Sequence, residues 1–282
     1  MTKIAVGQIC STNDLHHNLS QCLTVTRKAV EAGAKVIFLP EASDYIASSA
    51  AESVSLALPT NRSPFVDGLR KAAKEHGLAI NVGIHEPADR KEDGSMRVKN
   101  TLLWIDELGE IAQKYQKLHM FDVDIADGPR LRESDSVEPG KALIPPFPTS
   151  VGNVGMLICF DLRFPEPSLH LAQSDPPASL ITYPSAFTIP TGKVHWSPLL
   201  QARAIETQCF VVAAAQAGQH NEKRASYGHS MIVDPWGKIL VELGGEWNGE
   251  PEIGVCEVKD EDLEWARKQV PLKRRWDAYG RC

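Results

Sequence analysis

The run Lys35-Val36-Ile37-Phe38-Leu39 is apolar from its second residue and is closed at once by Pro40. It is too short for a stable helix and has no polar face. It therefore reads as a strand buried on both sides, which requires cover above and below its sheet. Residues 3–9, Leu78–Ile84, Val154–Ile158, Leu180–Tyr183, Cys209–Ala215, Ser230–Val233, Lys238–Glu242 and Gly254–Val258 read as further strands. Asn100–Ile105 and Ile111–Gln116 form a hairpin through Asp106-Glu107-Leu108-Gly109. Helices are expected over about 14–32, capped by Thr12 or Asn13 and stopped at Gly33, and from Pro64 to His76 behind a Ser63 cap. Two more are expected over His195–Gln208 and from an Asp260 cap to about Gln269. Strands alternating with helices early and late, with hairpins between them, predict an α/β fold with a mixed sheet.

No composition break divides the 282 residues, so a single domain over 1–282 is expected, with a basic, aromatic tail over about 271–282. The net charge of −6 argues against a nucleic-acid binder. No apolar stretch reaches the ~18 residues of a membrane span. Residues 1–8 read as a first strand rather than a secretory signal or transit peptide. The cysteines at 10, 22, 159, 209, 256 and 282 form no CxxC pair and no metal-ligand spacing. Reduced thiols, a cytoplasmic location with a mitochondrial pool left open, no metal and no cofactor are the expectations. His16-His17 beside Asp14 reads as an exposed helix start rather than a metal site.

Three side chains carry candidate chemistry. Glu41 follows Phe38-Leu39-Pro40, Lys117 follows the strand Ile111–Gln116, and Cys159 follows Val154–Ile158. Each stands where a strand gives way to polar sequence. A base, a cation and a thiol so placed are the parts needed for a thiol to attack a carbonyl, provided the three strand ends neighbour one another. On this reading Lys117 favours the thiolate, and the backbone N–H groups of Cys159-Phe160-Asp161 face an oxyanion. Singly, each residue has a plainer reading: a Glu as a cap or salt-bridge partner, a Lys in solvent, a Cys as inert core. Residues 118–148 show no periodicity and much Pro, Asp and Gly, so they read as one long functional loop.

Pro40-Glu41-Ala42, Tyr115-x-Lys117-x-His119-x-Phe121-Asp122 and Cys159-x-Asp161-x-Arg163-Phe164-Pro165-Glu166 resemble the three signatures of the nitrilase superfamily, in order and at similar distances. The resemblance implies a four-layer α-β-β-α sandwich and a homodimer with the tail at the subunit contact. It implies Glu41 as general base, Lys117 as oxyanion cation and Cys159 as nucleophile. It also implies a second glutamate in the long loop, for which Glu133 in Arg132-Glu133-Ser134 fits better than Glu138. Phe38–Tyr45, Tyr115–Asp124, Ser185–Gly192 with His195-Trp196, Ala202–Cys209 and Tyr227–Ile239 resemble the Nit branch. Within it they resemble the fungal and animal Nit1-type enzymes, which hydrolyse the amide of deaminated glutathione, while a sibling ω-amidase branch acts on α-ketoglutaramate. Asp127-Gly128-Pro129-Arg130 looks nearer the first. The implied partner is a small amide bearing carboxylates, with Phe160, Arg163, Phe187 and Thr188 as substrate-binding candidates. Arg163 could instead pair structurally with Glu166 or Asp161, and His119 could tune Lys117 or serve the core. Arg203 and Glu206, one helical turn apart, read as an ion pair. The competing functions are another amidase or carbamoylase of the superfamily, a metalloenzyme, and a non-catalytic binding protein on the same fold.

Overall fold

The computed structural model describes residues 1–90, 94–124 and 130–280, without the side chains of Asp124, Arg130 and Leu131. The loop reading at Asp127–Pro129 and the side chain of Arg130 therefore lie outside the described residues, as does Cys282.

Two mixed sheets face each other. The first runs in the order Glu252–Val258, Thr2–Gln8, Val36–Phe38, Ala79–Pro87, Val98–Ile105 and Ile111–Gln116, with Val137–Glu138 also paired to Val98–Ile105. The second runs Ile239–Glu242, Met231–Val233, Phe210–Ala213, Leu180–Thr182, Gly152–Met156 and Phe147–Thr149. Parallel pairing holds at the centre of each: Thr2–Gln8 with Val36–Phe38 with Ala79–Pro87, and Gly152–Met156 with Leu180–Thr182 with Phe210–Ala213.

The alternation of side chains along each strand sorts the core into layers. From the first sheet, Ala5, Ile37, Leu39, Ile80 and Val82 pack outward against Cys22, Val25, Ala29, Phe65 and Leu69 of the helices Leu15–Glu31 and Pro64–His76. Ile4, Val6, Val36, Phe38, Leu102 and Trp104 point the other way, into the second sheet. Trp104 meets Phe147 edge-on across that interface at 5.5 Å. The outer face of the second sheet is covered by Leu171 of the helix Pro165–Ala172 and by Trp196, Leu200 and Ala204 of the helix Ile189–Thr207. This is the four-layer helix–sheet–sheet–helix sandwich expected from the resemblance, and it explains why Val36–Leu39 is apolar on both faces.

Several boundaries move. Asp14, not Thr12 or Asn13, caps the first helix, accepting from the backbone N–H groups of His16 and His17. Asp260 is the first residue of its helix rather than its cap. The third long helix begins at Ile189, because Pro190 suits a first turn and Pro198 is absorbed within it. Residues 118–148 are not one loop. Asp122–Asp124 pairs with Arg130–Arg132, a 3-10 turn follows over Glu133–Asp135, and two short strands come after it. Ala217–Asn221 and Arg224–Tyr227 form a further hairpin. In the tail, Arg274 Nη2 donates to the Glu206 carbonyl at 2.7 Å, and Trp276–Tyr279 forms a short helix.

Candidate active site

The three candidate side chains do meet, but not along neighbouring strands. Glu41 and Lys117 come from the first sheet, where Ala79–Pro87 and Val98–Ile105 separate their strands. Cys159 comes from the facing sheet. The site lies between the sheets at one end of the sandwich.

Glu41 sits on a tight turn beyond Val36–Phe38. Gly83 makes that turn possible: a Cβ there would stand 2.6 Å from Glu41 Cα and 2.9 Å from the Pro40 oxygen. Ala42 follows with φ +55°, a left-handed conformation costly for a residue with a side chain. Buried Gln216 holds the turn, its Nε2 donating to the carbonyls of Glu41 at 3.0 Å and Ala42 at 3.2 Å. Glu41 is 4% exposed. Its Oε1 accepts from Asn100 Nδ2 at 2.7 Å and from Lys117 Nζ at 2.9 Å. Its Oε2 accepts from the Ala186 N–H at 2.9 Å, and the Cys159 thiol lies close enough to this carboxylate to lower its pKa.

Lys117, 2% exposed, extends the strand Ile111–Gln116 by one residue, its N–H donating to the Asn100 carbonyl. Its ammonium spans two carboxylates: Glu41 at 2.9 Å and Glu133, whose two oxygens lie at 2.9 and 3.0 Å. Glu133, in its 3-10 turn, also accepts from the Phe121 N–H at 2.6 Å. The Pro139-Gly140 pair lies against this strand, where the Gly140 N–H bonds the Lys117 carbonyl at 2.7 Å and a side chain would press on the Gln116 carbonyl.

Cys159 is buried at the first position of a 3-10 turn, with φ +44°. Burial is the largest influence on its thiol and raises the pKa, and the Glu41 carboxylate raises it further. Lys117 opposes both and does not prevail, so the thiol is pushed well above its ordinary range. The balance favours a neutral thiol beside an ionised Glu41, a choice of protonation state that the sequence had left open. For Glu41 itself burial works upward. The Lys117 charge, with hydrogen bonds from Cys159, Lys117 and Asn100, outweighs it and holds the carboxyl below its usual range. Lys117 is held well above its usual value: burial works downward, but the charges of Glu133 and Glu41 overcome it.

The turn offers fewer donors than expected. The Cys159 N–H donates to the Pro184 carbonyl at 3.0 Å and the Asp161 N–H to the Ile158 carbonyl at 2.9 Å. Among the described residues, the Phe160 N–H has no such acceptor.

Arg163 pairs with neither Glu166 nor Asp161. Its Nη2 lies 3.2 Å from His195 Nδ1, and its guanidinium carbon stands 5.7 and 5.8 Å from the ring centres of Phe160 and Phe187. Burial is the largest influence on its pKa and lowers it. Among the described residues no carboxylate lies within ion-pair distance of it. Phe187 packs on Trp196, and the Thr188 and Thr191 hydroxyls lie 2.7 Å apart. Arg203 pairs with Glu206 and also donates to the Leu162 carbonyl at 2.8 Å, bracing the cysteine turn from behind. His119 stacks on Phe164, its Nδ1 2.7 Å from Asp161 Oδ1. The side-chain contacts of Asn100 and Gln216 carry no local motif signal, because Glu41, the partner of each, is remote in sequence. No group of three or more His, Cys, Asp or Glu side chains among the described residues is arranged to hold a metal.

A carbon-nitrogen hydrolase family model matches residues 3–267. The chain is 43% identical over 280 residues to a probable hydrolase, nit2, of Schizosaccharomyces pombe, an alignment covering 99% of each protein. It is 40% identical over 279 residues to the deaminated glutathione amidase of Bos taurus, covering 98% of this chain and 83% of that one. The crystal structure of the Caenorhabditis elegans NitFhit protein is similar at a TM-score of 0.88 and 38% identity, over 99% of this chain and 66% of that longer one. Sequence match, architecture and the meeting of all three motifs at one buried point agree, and the chain belongs to the carbon-nitrogen hydrolase family.

Proposed function

We propose that this hydrolase is a cysteine amidase for α-keto-acid amides, and that its preferred substrate is deaminated glutathione, cleaved to α-ketoglutarate and cysteinylglycine. The observation that carries the catalytic reading is the shared carboxylate. Glu41 bonds the Lys117 ammonium through Oε1, while the Cys159 thiol stands near enough to the same carboxylate to shift its pKa. Glu41 takes the thiol proton as Sγ bonds to the amide carbon, and the carbonyl oxygen becomes an oxyanion facing Lys117 and the Phe160 N–H. Glu41 returns the proton to the departing nitrogen as the C–N bond breaks, leaving a thioester. Water then adds to the thioester, Glu41 takes its proton, and the acid leaves as the thiol is restored. Glu133 holds the ammonium from the other side and keeps it charged.

The substrate reading rests on Arg163 and on the relatives named as deaminated glutathione amidases. Deaminated glutathione carries two carboxylates, and a guanidinium framed by Phe160 and Phe187 with no carboxylate partner among the described residues suits one of them. Phe187 and Thr188 line the same approach. We place the enzyme in the cytoplasm as a homodimer, with the tail near the contact. Exposed Ile205, Trp236 and Trp265 offer the apolar surface such a contact would cover, and sedimentation velocity tests this.

Brief incubation with each amide followed by intact mass spectrometry tests the chemistry. An α-ketoglutaryl adduct on wild type, absent from Cys159→Ala, is the expected result, and turnover by Cys159→Ala would refute it. Competition between the two amides tests the substrate. A higher kcat/KM for α-ketoglutaramate would assign the chain to the ω-amidase branch.

A further inference from the structure

Tyr115 and His119 stand two residues to either side of Lys117, the first within the strand Ile111–Gln116 and the second just beyond its end. The two that flank Lys117 end on one group. Tyr115 Oη donates to Asp161 Oδ2 at 2.7 Å, and the His119 backbone N–H donates to Asp161 Oδ1 at 3.0 Å, with His119 Nδ1 at 2.7 Å from the same oxygen. Asp161 also accepts the Ile158 N–H on Oδ2 at 3.0 Å. Ile158 immediately precedes Cys159, so one fully buried carboxyl, 0% exposed, joins both flanks of Lys117 to the root of the cysteine turn. The two segments belong to opposite sheets, and no strand pairing joins them.

We propose that Asp161 is a positioning residue that sets Lys117 against Cys159 across the sandwich, so that the ammonium stands where the oxyanion forms. It touches no reacting atom; it acts through Tyr115, His119 and Ile158. The inference rests on the proposed roles of Lys117 and Cys159. The cysteine turn needs such a hold, since a non-glycine residue at φ +44° persists only where its surroundings impose it.

Asp161→Asn tests it. An amide offers one acceptor oxygen, so its NH₂ must face either the Ile158 N–H or the His119 N–H, and one bond is lost whichever way it turns. The experiment compares amide turnover with the rate at which iodoacetamide alkylates Cys159, a displacement that forms no oxyanion. For a folded Asp161→Asn we expect kcat to fall about 100-fold, as for misplacement by about 1 Å, with KM within about threefold and alkylation slowed less than about tenfold. Tyr115→Phe removes a single hydroxyl and keeps the ring, and about a fivefold loss of kcat with the same split is expected. Normal kcat in a folded Asp161→Asn, or turnover and alkylation falling by one common factor, would overturn the proposal. If Asp161→Asn does not fold, wild-type kcat in Tyr115→Phe would overturn it. Cys159→Ala and Lys117→Met run alongside as controls, and activity in either would refute the site assignment instead of this inference.

Discussion

Glu41→Gln keeps the shape of the side chain and removes its ability to take a proton. The thiol has no easy substitute, because burial and Glu41 itself keep it neutral far above its ordinary range. Glu41 is also assigned the return of the proton to the leaving nitrogen, so both transfers fail together. A lost general base costs about 10²–10⁴-fold. With one residue serving both steps, the fall in kcat should reach at least about 10³-fold, or ~4 kcal/mol of barrier. The substitution has a second effect of opposite sign. Removing the Glu41 charge leaves Lys117 to favour the thiolate, so alkylation of Cys159 should persist and rise with pH. In wild type the acid limb reports Glu41. Its folded pKa is depressed, so protonation removes the base only as pH falls below the ordinary carboxylate range. Activity should be level from about pH 5 upward, with no loss to lysine deprotonation below about pH 10, since Lys117 is held above its usual value. Steady-state assays from pH 3.5 to 10, with alkylation followed by mass spectrometry, measure all of this. A Glu41→Gln enzyme keeping a tenth of wild-type kcat, or a wild-type acid limb centred near neutrality, would refute the assignment.

Lys117→Met should lose turnover and also destabilise the fold by about 3–5 kcal/mol, because Glu41 and Glu133 would face each other in a buried site without their cation; chemical denaturation at pH 7 should show this, and a smaller deficit near pH 4. Gly83→Ala should cost about 1–3 kcal/mol and lower kcat, since its Cβ meets unyielding backbone at Glu41 Cα; unchanged thermal stability and kcat would remove Gly83 from the account. Arg163→Ala should lower kcat/KM by about 2–3 kcal/mol for amides bearing the recognised carboxylate and leave an uncharged amide nearly unaffected, the half-buried setting keeping the effect below that of a fully desolvated pair. Dialysis against a chelator should leave kcat unchanged, and inhibition reversed by one specific metal would count against the mechanism.

The central strands and capped helices were legible because each is specified locally: Val36–Leu39 by its continuous apolar run, Pro64–His76 by Ser63 and Gly77, Ile111–Gln116 by its turn. The site was legible as three strand ends, but not the direction from which they meet. Nothing in Val154–Ile158 says that it lies in a different sheet from Val36–Leu39, since both are apolar on two faces. The strands within 118–148 escaped notice because two- and three-residue pairs leave no periodicity to read. The resting protonation of Cys159 was not legible for a related reason. Its neighbour Lys117 was counted, while the burial and the second charge that reverse its influence arise only from packing. Gln216 and Asn100 could not be singled out, because the contacts that matter to each are made to a residue 175 and 59 positions away.

The placement of one ammonium between two carboxylates has a consequence for how charge behaves during turnover. At rest the cluster of Glu41, Lys117, Glu133 and the neutral thiol sums to one negative charge. In the proposed mechanism, once Glu41 is protonated and the oxyanion has formed, the sum is again one negative charge, now moved a few ångströms toward the substrate oxygen. The surroundings never have to accommodate a new net charge, only a displaced one. Dipoles fixed by folding can therefore serve every stage without turning, and the interior can stay closed to water until the thioester is ready for it. On the proposed reading, the same standing negative charge would repel a substrate carboxylate, and Arg163 offers a separate cation to receive it.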